Sequence, residues 1–200
     1  REPSLGPVFG IKGGQVALIL DNQVQEEKGI YEDGQVYLPV NWVNEHLNER
    51  FYWDEGEKLL VYALPESIVY ADESTQGEKG PLFKVTQEGM YLSLGVVVNY
   101  TDIRTQAFAT SQIKRVFIDT SWQPYDTAVL KKTGQIRVKG GVKSQIITEA
   151  AAGETVDVLE TMDKWSRVRT ADGYIGYVEN RKLEAGEQVA PVSTFEAPVY

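Results

Sequence analysis

Hydrophobic and polar positions change rhythm every few residues in the first part of the chain. Val16 to Leu20 is a short apolar run and predicts a strand. Asp21-Asn22 follows as a turn, and Gln23 to Lys28 reads as a polar return strand or loop. Glu32-Asp33-Gly34 is a second turn, and Gln35-Val36-Tyr37-Leu38 predicts another strand. Pro39 then stands where a helix can begin, because its fixed φ suits the first helical position. Val40, Val43 and Leu47 are spaced i, i+3, i+7 and form one helical face. Phe51-Tyr52-Trp53, the turn Asp54 to Glu57 and the run Leu59 to Tyr62 predict a hairpin.

The same order recurs further on. Tyr91-Leu92-Ser93-Leu94 matches Tyr37-Leu38-Pro39-Val40, Val97 takes the place of Val43, and Phe108 that of Tyr52. Lys114 to Ile118 follows the pattern of Lys58 to Tyr62. The offset is 54 residues before the helix and 56 after it, so the second copy has the longer loop. A repeat of this kind implies two like units that close one core together. Gly95, Val96, Val97 and Val98 are poor helix formers, so packing must hold the second helix. Strand, turn, Tyr-Leu-Pro-Val, short helix, Phe-Tyr-Trp-Asp and return strand resemble the copper amine oxidase N-terminal-like domain of secreted bacterial proteins, over about residues 14–120. That resemblance implies two half-motifs and no copper. The second half departs from it, with Ser93 for the proline and Ala107 and Ala109 around the position of the Trp.

Residues 1–13, rich in Gly and Pro, read as a lead-in, and residues 121–133, with Trp122, Pro124 and Asp126, as a linker. A second alternating region spans 134–184. Gln135 to Val138, Ile146-Ile147, Val156 to Leu159, Trp165 to Val178 and Leu183 predict short strands of a small barrel. Asp172-Gly173 predicts a hairpin with a type I′ turn, and Gly176 a close backbone approach. The order IRV, II, GETVDVLE, KWSRVRTADGYIGYV and a last Leu resembles the bacterial SH3 domain. Val138 to Val142 departs from the Ser/Gly/Pro-rich run that this family often carries. Residues 185–200, with Pro191 and Pro198, read as a linker to a further domain beyond Tyr200. The expected fold class is α+β, mostly β: a duplicated hairpin-helix-hairpin domain followed by a small SH3-like β-barrel.

Charge and composition narrow the chemistry. The net charge is -9, with 29 acidic and 20 basic residues, which argues against nucleic acid as a partner. The excess is local: residues 1–133 hold 19 acidic and 12 basic residues, whereas 134–184 hold eight of each. There is no cysteine, so disulfides, thiolate metal sites and cysteine nucleophiles are absent. No apolar run approaches the roughly 18 residues of a membrane span. No signal peptide is visible before Arg1, and a mature fragment is expected. The one histidine, His46, lies among Asn44, Glu45 and Asn48 on a short helix, and no GxSxG elbow exists. Asp54, Glu55, Glu57, Asp119 and Asp126 are the carboxylates nearest to a glycosidase pair, but all except Asp119 fall in turns or linkers. No spaced His set suits zinc and no D-x-D-x-D-G loop suits calcium. Asn99-Tyr100-Thr101 is a glycosylation sequon. No catalysis, metal or cofactor is expected.

Binding is the remaining class. Aromatics offer rigid apolar area with a polar handle. Tyr37, Trp42, Tyr52 and Trp53 lie in the first half-repeat, with Trp53 and Tyr37 expected in the core. The candidate ligand-binding residues are Trp165, Tyr174, Tyr177, Arg167 and Arg169. Tyr174, beside the turn, should be the exposed aromatic, and both arginines should point away from the core if Val168 points inward. The resemblances imply a cell-wall-associated targeting region, outside or on the surface of a Gram-positive bacterium. Peptidoglycan or glycan would be the ligand of the neutral barrel, since the acidic domain should be repelled by anionic wall polymers. The domain order resembles the region ahead of family-18 glycoside hydrolase domains, which implies a catalytic partner domain downstream. The alternative is a structural stalk or oligomerisation module with no ligand.

Overall fold

The structure, a computed structural model, describes residue 9 and residues 11–197. The rest of the lead-in and the end of the expected terminal linker lie outside the described residues. The chain divides into two compact units, one essentially Phe9–Thr120 and one essentially Ser121–Ser193. The described residues are mostly strand, with two short α-helices.

The first unit runs β1 (Gln15–Leu20), β2 (Gln23–Glu32), β3 (Gln35–Pro39), α1 (Val40–His46), β4 (Phe51–Asp54), β5 (Leu59–Ala63) and β6 (Ile68–Ala71). It continues with β7 (Gln76–Gly77), β8 (Gly80–Pro81), β9 (Phe83–Thr86), β10 (Gly89–Ser93), α2 (Leu94–Tyr100), β11 (Arg104–Phe108) and β12 (Arg115–Asp119). Seven strands form one sheet in the order β11-β12-β1-β2-β3-β10-β9. Neighbours are antiparallel except β1 and β12, which pair in parallel from Ala17↔Arg115 to Leu20↔Ile118. β1 is buried on both faces, which is why it reads as a continuous apolar run. Val16 and Leu18 join a core with Leu38, Val43, Leu92, Val97, Val116 and Ile118.

Local chemistry sets the joints. Asp21 and Asn22 both have positive φ, 45° and 68°, between paired Leu20 and Gln23. Asp33 and Gly34, at 49° and 83°, do the same between Glu32 and Gln35. These are two-residue turns whose twist matches that of the strands they join. Pro39 precedes α1 without a side-chain cap, whereas Ser93 Oγ accepts the Val96 N–H at 3.2 Å and caps α2. α2 forms despite its poor helix formers because Val96 and Val97 are buried in the core.

The stretches β2-β3-α1-β4-β5 and β9-β10-α2-β11-β12 have the same element order, but their second hairpins go to different places. β4 and β5 make a separate three-stranded sheet with β6, while β11 and β12 join the large sheet beside β1. β3 and β10 pair directly, with Leu38 opposite Leu92. Asn48, just past α1, donates through Nδ2 to Tyr62 Oη (3.0 Å), Tyr100 O (3.1 Å) and Thr101 Oγ1 (3.1 Å). One side chain thus ties the two helix ends together.

The second unit contains β13 (Asp126–Leu130), β14 (Gly134–Arg137), β15 (Ile146–Ala150), β16 (Thr155–Thr161), β17 (Trp165–Arg169), β18 (Ile175–Glu179), a 3-10 turn (Asn180–Lys182) and β19 (Leu183–Ala185). The sheet order is β15-β14-β18-β17-β16-β13-β19. A flat sheet would hold β14 and β13, four strands apart, at about 19 Å. A Cβ on Gly134 would lie 3.0 Å from both Leu130 of β13 and Val178 of β18, so the sheet is rolled around its core. That core is Ala128, Leu130, Ile136, Ala150, Val156, Val168 and Val178. Gly176 allows the close approach its sequence predicts, since a Cβ there would lie 2.7 Å from Arg137 O and Ile136 Cγ2.

Both expected linkers change in extent. Residues 121–133 contain β13, an interior strand paired with β16 and β19, so Asp126 opens a strand. Residues 186–189 continue along the β19 side: Thr127 Oγ1 donates to Glu187 O at 2.6 Å, and Tyr125 and Val189 exchange backbone bonds at 2.9 Å. Backbone pairing holds these segments, and their side chains carry little apolar periodicity to announce it.

Candidate functional site

A cleft of about 500 Å³ opens on the barrel, lined by Val138, Lys139, Gly140, Met162, Asp163, Lys164, Trp165 and Tyr177. Its aromatic wall follows from strand alternation. Ser166 and Val168 of β17 point inward and are buried, so Trp165 and Arg167 point outward. On the adjacent strand Tyr177 stands opposite Arg167 on one side and Arg137 on the other. Trp165 and Tyr177 are therefore diagonal neighbours on one face, both half-buried.

The two other walls are loops braced by short hydrogen bonds. Asn180 Nδ2 donates to Met162 O (2.8 Å) and Asp163 O (3.3 Å), and Ser166 Oγ donates to Asn180 Oδ1 (2.5 Å). Asn180 N–H donates to Lys164 O at 2.9 Å. Across the cleft, Lys139 N–H donates to Ser144 Oγ (2.9 Å) and Arg137 Nη1 to Ser144 O (2.8 Å). Gly140 lies flat on the indole, where a Cβ would come 3.1 Å from Trp165 Cγ. The rim carries exposed Lys139, Lys164 and Asp163. Glu179, opposite Trp165 in register, is held below the usual carboxylate range by its 2.7 Å bond from Arg181 Nε, with Lys182 Nζ at 3.7 Å.

Of the five residues singled out in the sequence, the structure brings Trp165 and Tyr177 into this cleft. Tyr174 is not exposed; it is buried, at 4 % exposure. The turn explains this. Gly173 N–H bonds Thr170 O at 3.1 Å, and only Gly173 has positive φ, so the turn is a type I turn with a glycine bulge rather than type I′. Tyr174 then belongs to the hairpin ladder: Thr170 N–H donates to its O at 2.8 Å, and its own N–H donates to Thr170 Oγ1 at 3.0 Å. Ala171 and Asp172 form the exposed tip. Arg169 is also buried, standing between Asp157 and Ile175 on an interior strand. Arg167 is half-buried and outside the cleft lining. The residues that sequence reasoning missed are the loop residues Val138 to Gly140 and Met162 to Lys164. Their one sequence signal was the Lys139-Gly140-Gly141 departure from the family's usual run.

In the first unit, Tyr37 and Trp42 are in the core, Trp53 is partly buried against Phe83 (5.1 Å between ring centres), and Tyr52 is 61 % exposed. His46 packs tilted against Trp42, with 5.3 Å between ring centres, and lies 3.8 Å from Glu45. A second cleft of about 650 Å³ lies beside α2, lined among others by Leu94, Val98, Asn99, Ala107 and Ala109. Among the described residues no three His, Cys, Asp or Glu side chains gather as a metal site, and no helix is long and apolar enough to cross a membrane.

Residues 136–183 match the bacterial dipeptidyl-peptidase SH3 domain family. The match takes in the whole aromatic cleft and begins after β13. An SH3-like domain is not itself catalytic, and its presence suggests a binding or accessory role. No curated protein and no solved structure matches the chain.

Proposed function

We propose that this chain is a non-catalytic, cell-wall-associated binding region of a secreted bacterial protein, and that the barrel cleft at Trp165 and Tyr177 holds the ligand. The observation that carries this is the cleft itself: an aromatic wall between two loops that hydrogen bonds have already fixed, so little order is lost on binding. Exposed Lys139 and Lys164 on the rim suit the carboxylates of a peptide stem. The matching family's name refers to dipeptidyl-peptidases, which favours a peptide over a glycan as the cleft's ligand. In this reading the first unit is a copper amine oxidase N-terminal-like domain built from two half-repeats. Its role is to space the barrel from a downstream hydrolase, of glycoside hydrolase type, at the surface of a Gram-positive bacterium.

The test is co-sedimentation of the full chain with purified Gram-positive cell wall. Trp165→Ala should reduce binding roughly tenfold, the weight of one buried aromatic anchor, with an unchanged melt. Equal binding by folded Trp165→Ala would move the site elsewhere. No binding by the unaltered chain would leave the stalk reading.

A further inference from the structure

The three most exposed large apolar side chains of the first unit, among the described residues, are Tyr52 (61 %), Tyr70 (60 %) and Ile68 (53 %). All three stand on the outward face of the β4-β5-β6 sheet. Phe51, Leu60, Tyr62 and Ala71 point into the core, so alternation sends Tyr52, Val61 and Tyr70 outward. Register aligns them: Tyr52 is opposite Val61, and Val61 is opposite Tyr70. Two strand spacings separate the tyrosines, roughly 10 Å. Ile68, opposite Ala63, extends the face on one side. Neither the Tyr52 nor the Tyr70 side chain has a hydrogen-bond or ring partner among the described residues. A contiguous exposed apolar patch of this kind suits an interaction surface.

The charge around it is one-sided. Residues 51–75 hold six carboxylates and one Lys. Asp54 ends β4, Glu55 and Glu57 lie in the β4-β5 turn, and Asp72 and Glu73 follow β6, at the same end of this antiparallel sheet. Lys58 is engaged by Glu55 at 2.5 Å. Asp72 is held ionised by bonds from Ser74 and Thr75. Glu57 and Glu73 have no cationic partner among the described residues.

We infer that this face binds an extended glycan whose sugars carry free amino groups. Pyranose rings present apolar C–H faces to the two tyrosines while their hydroxyls stay at the rim in water. The ammonium groups meet the carboxylates at the sheet's end and the faces of the rings. An extended peptide fits less well, because its backbone N–H and C=O groups would lie unpaired against Tyr52, Val61 and Tyr70. A second copy of the chain fits less well still, since both faces would carry the same excess of carboxylates. This site is separate from the barrel cleft, and acidity, which repels anionic wall polymers, attracts a cationic one.

The experiment is calorimetric titration of the full chain with a glucosamine oligomer, beside the N-acetylglucosamine oligomer and a lysine-rich peptide. The glucosamine oligomer should bind, with affinity falling as salt rises. Tyr52→Ala with Tyr70→Ala should weaken it roughly tenfold or more, and Tyr70→Phe should retain it. Glu57→Lys with Glu73→Lys, at exposed turn positions, should weaken it without touching the rings, and Trp165→Ala should leave it unchanged. No binding of the glucosamine oligomer overturns the assignment, as does unchanged binding by the folded double tyrosine variant. Equal binding of the acetylated oligomer, or of the lysine-rich peptide through the same tyrosines, also overturns it.

Discussion

The two units handle the same materials, short strands and scattered aromatics, in opposite ways. The first joins residues far apart in sequence: Ala17 pairs with Arg115 and Leu38 with Leu92. The second pairs across shorter spans, β13 with β16 and β14 with β18, and only β13 with β19 reaches over more than 50 residues. The first unit spreads its aromatics from the core to the surface, with Tyr37 at 0 % and Tyr52 at 61 % exposure. The barrel keeps Trp165 and Tyr177 half-buried between braced loops. The first unit therefore closes over the longer spans, and both units depend on strands from their two ends.

Truncation tests that difference most severely. Residues 1–78 alone lack β10 and β12, which flank β3 and β1, and should show no cooperative melt, while 1–120 should melt as one transition. The barrel should fold as residues 121–193. A fragment beginning at 131 should not, because it loses β13 with Ala128 and Leu130 from a small core. Thermal melts by circular dichroism read all four. A cooperative 1–78 would break the contrast.

Point substitutions sharpen it. Gly176→Val places a side chain against the Arg137 carbonyl and should destabilise the barrel by about 3 kcal/mol or more, leaving the first unit's melt in place. Asn48→Ala removes the bonds to Tyr62, Tyr100 and Thr101 and should cost the first unit about 1–3 kcal/mol. Its effect should fall on 1–120 and not on 121–193. Chemical denaturation of each fragment separates the two.

Much of this was legible where a few residues decide the geometry. Asp21-Asn22 and Asp33-Gly34 read as turns because their backbone needs are local. Pro39 and the Val40-Val43-Leu47 spacing marked α1 for the same reason. β13 was hidden because Trp122, Pro124 and Asp126 look like linker punctuation, and its place is set by partners up to 57 residues away at Ala185. The faces of aromatics were harder still. Phe51-Tyr52-Trp53 gives no sign of which side meets the core until the sheet is placed. Tyr174, beside the turn, reads as exposed because one glycine can serve two turn types, and only the other puts that ring inside. At the cleft, the aromatic wall was visible in the sequence and the loops that complete it were not.

The smallest effect concerns pH. The Glu179 carboxyl is depressed by Arg181, so its contribution to the barrel's stability is fully present above the unfolded value of about 4.3. It is lost as pH falls through the lower folded value. Glu179→Gln should flatten the acid limb of the 121–193 melt slightly, and an unchanged limb would show that water already screens the pair.

The parallel pairing of β1 with β12 also has a mechanical consequence. These are the entry and exit strands of the first unit, and they lie side by side pointing the same way. Tension applied through the chain pulls the start of β1 and the end of β12 in opposite directions, along the strands. The hydrogen bonds between them are then loaded together in shear rather than peeled one at a time. A unit built this way resists extension until the whole ladder fails at once.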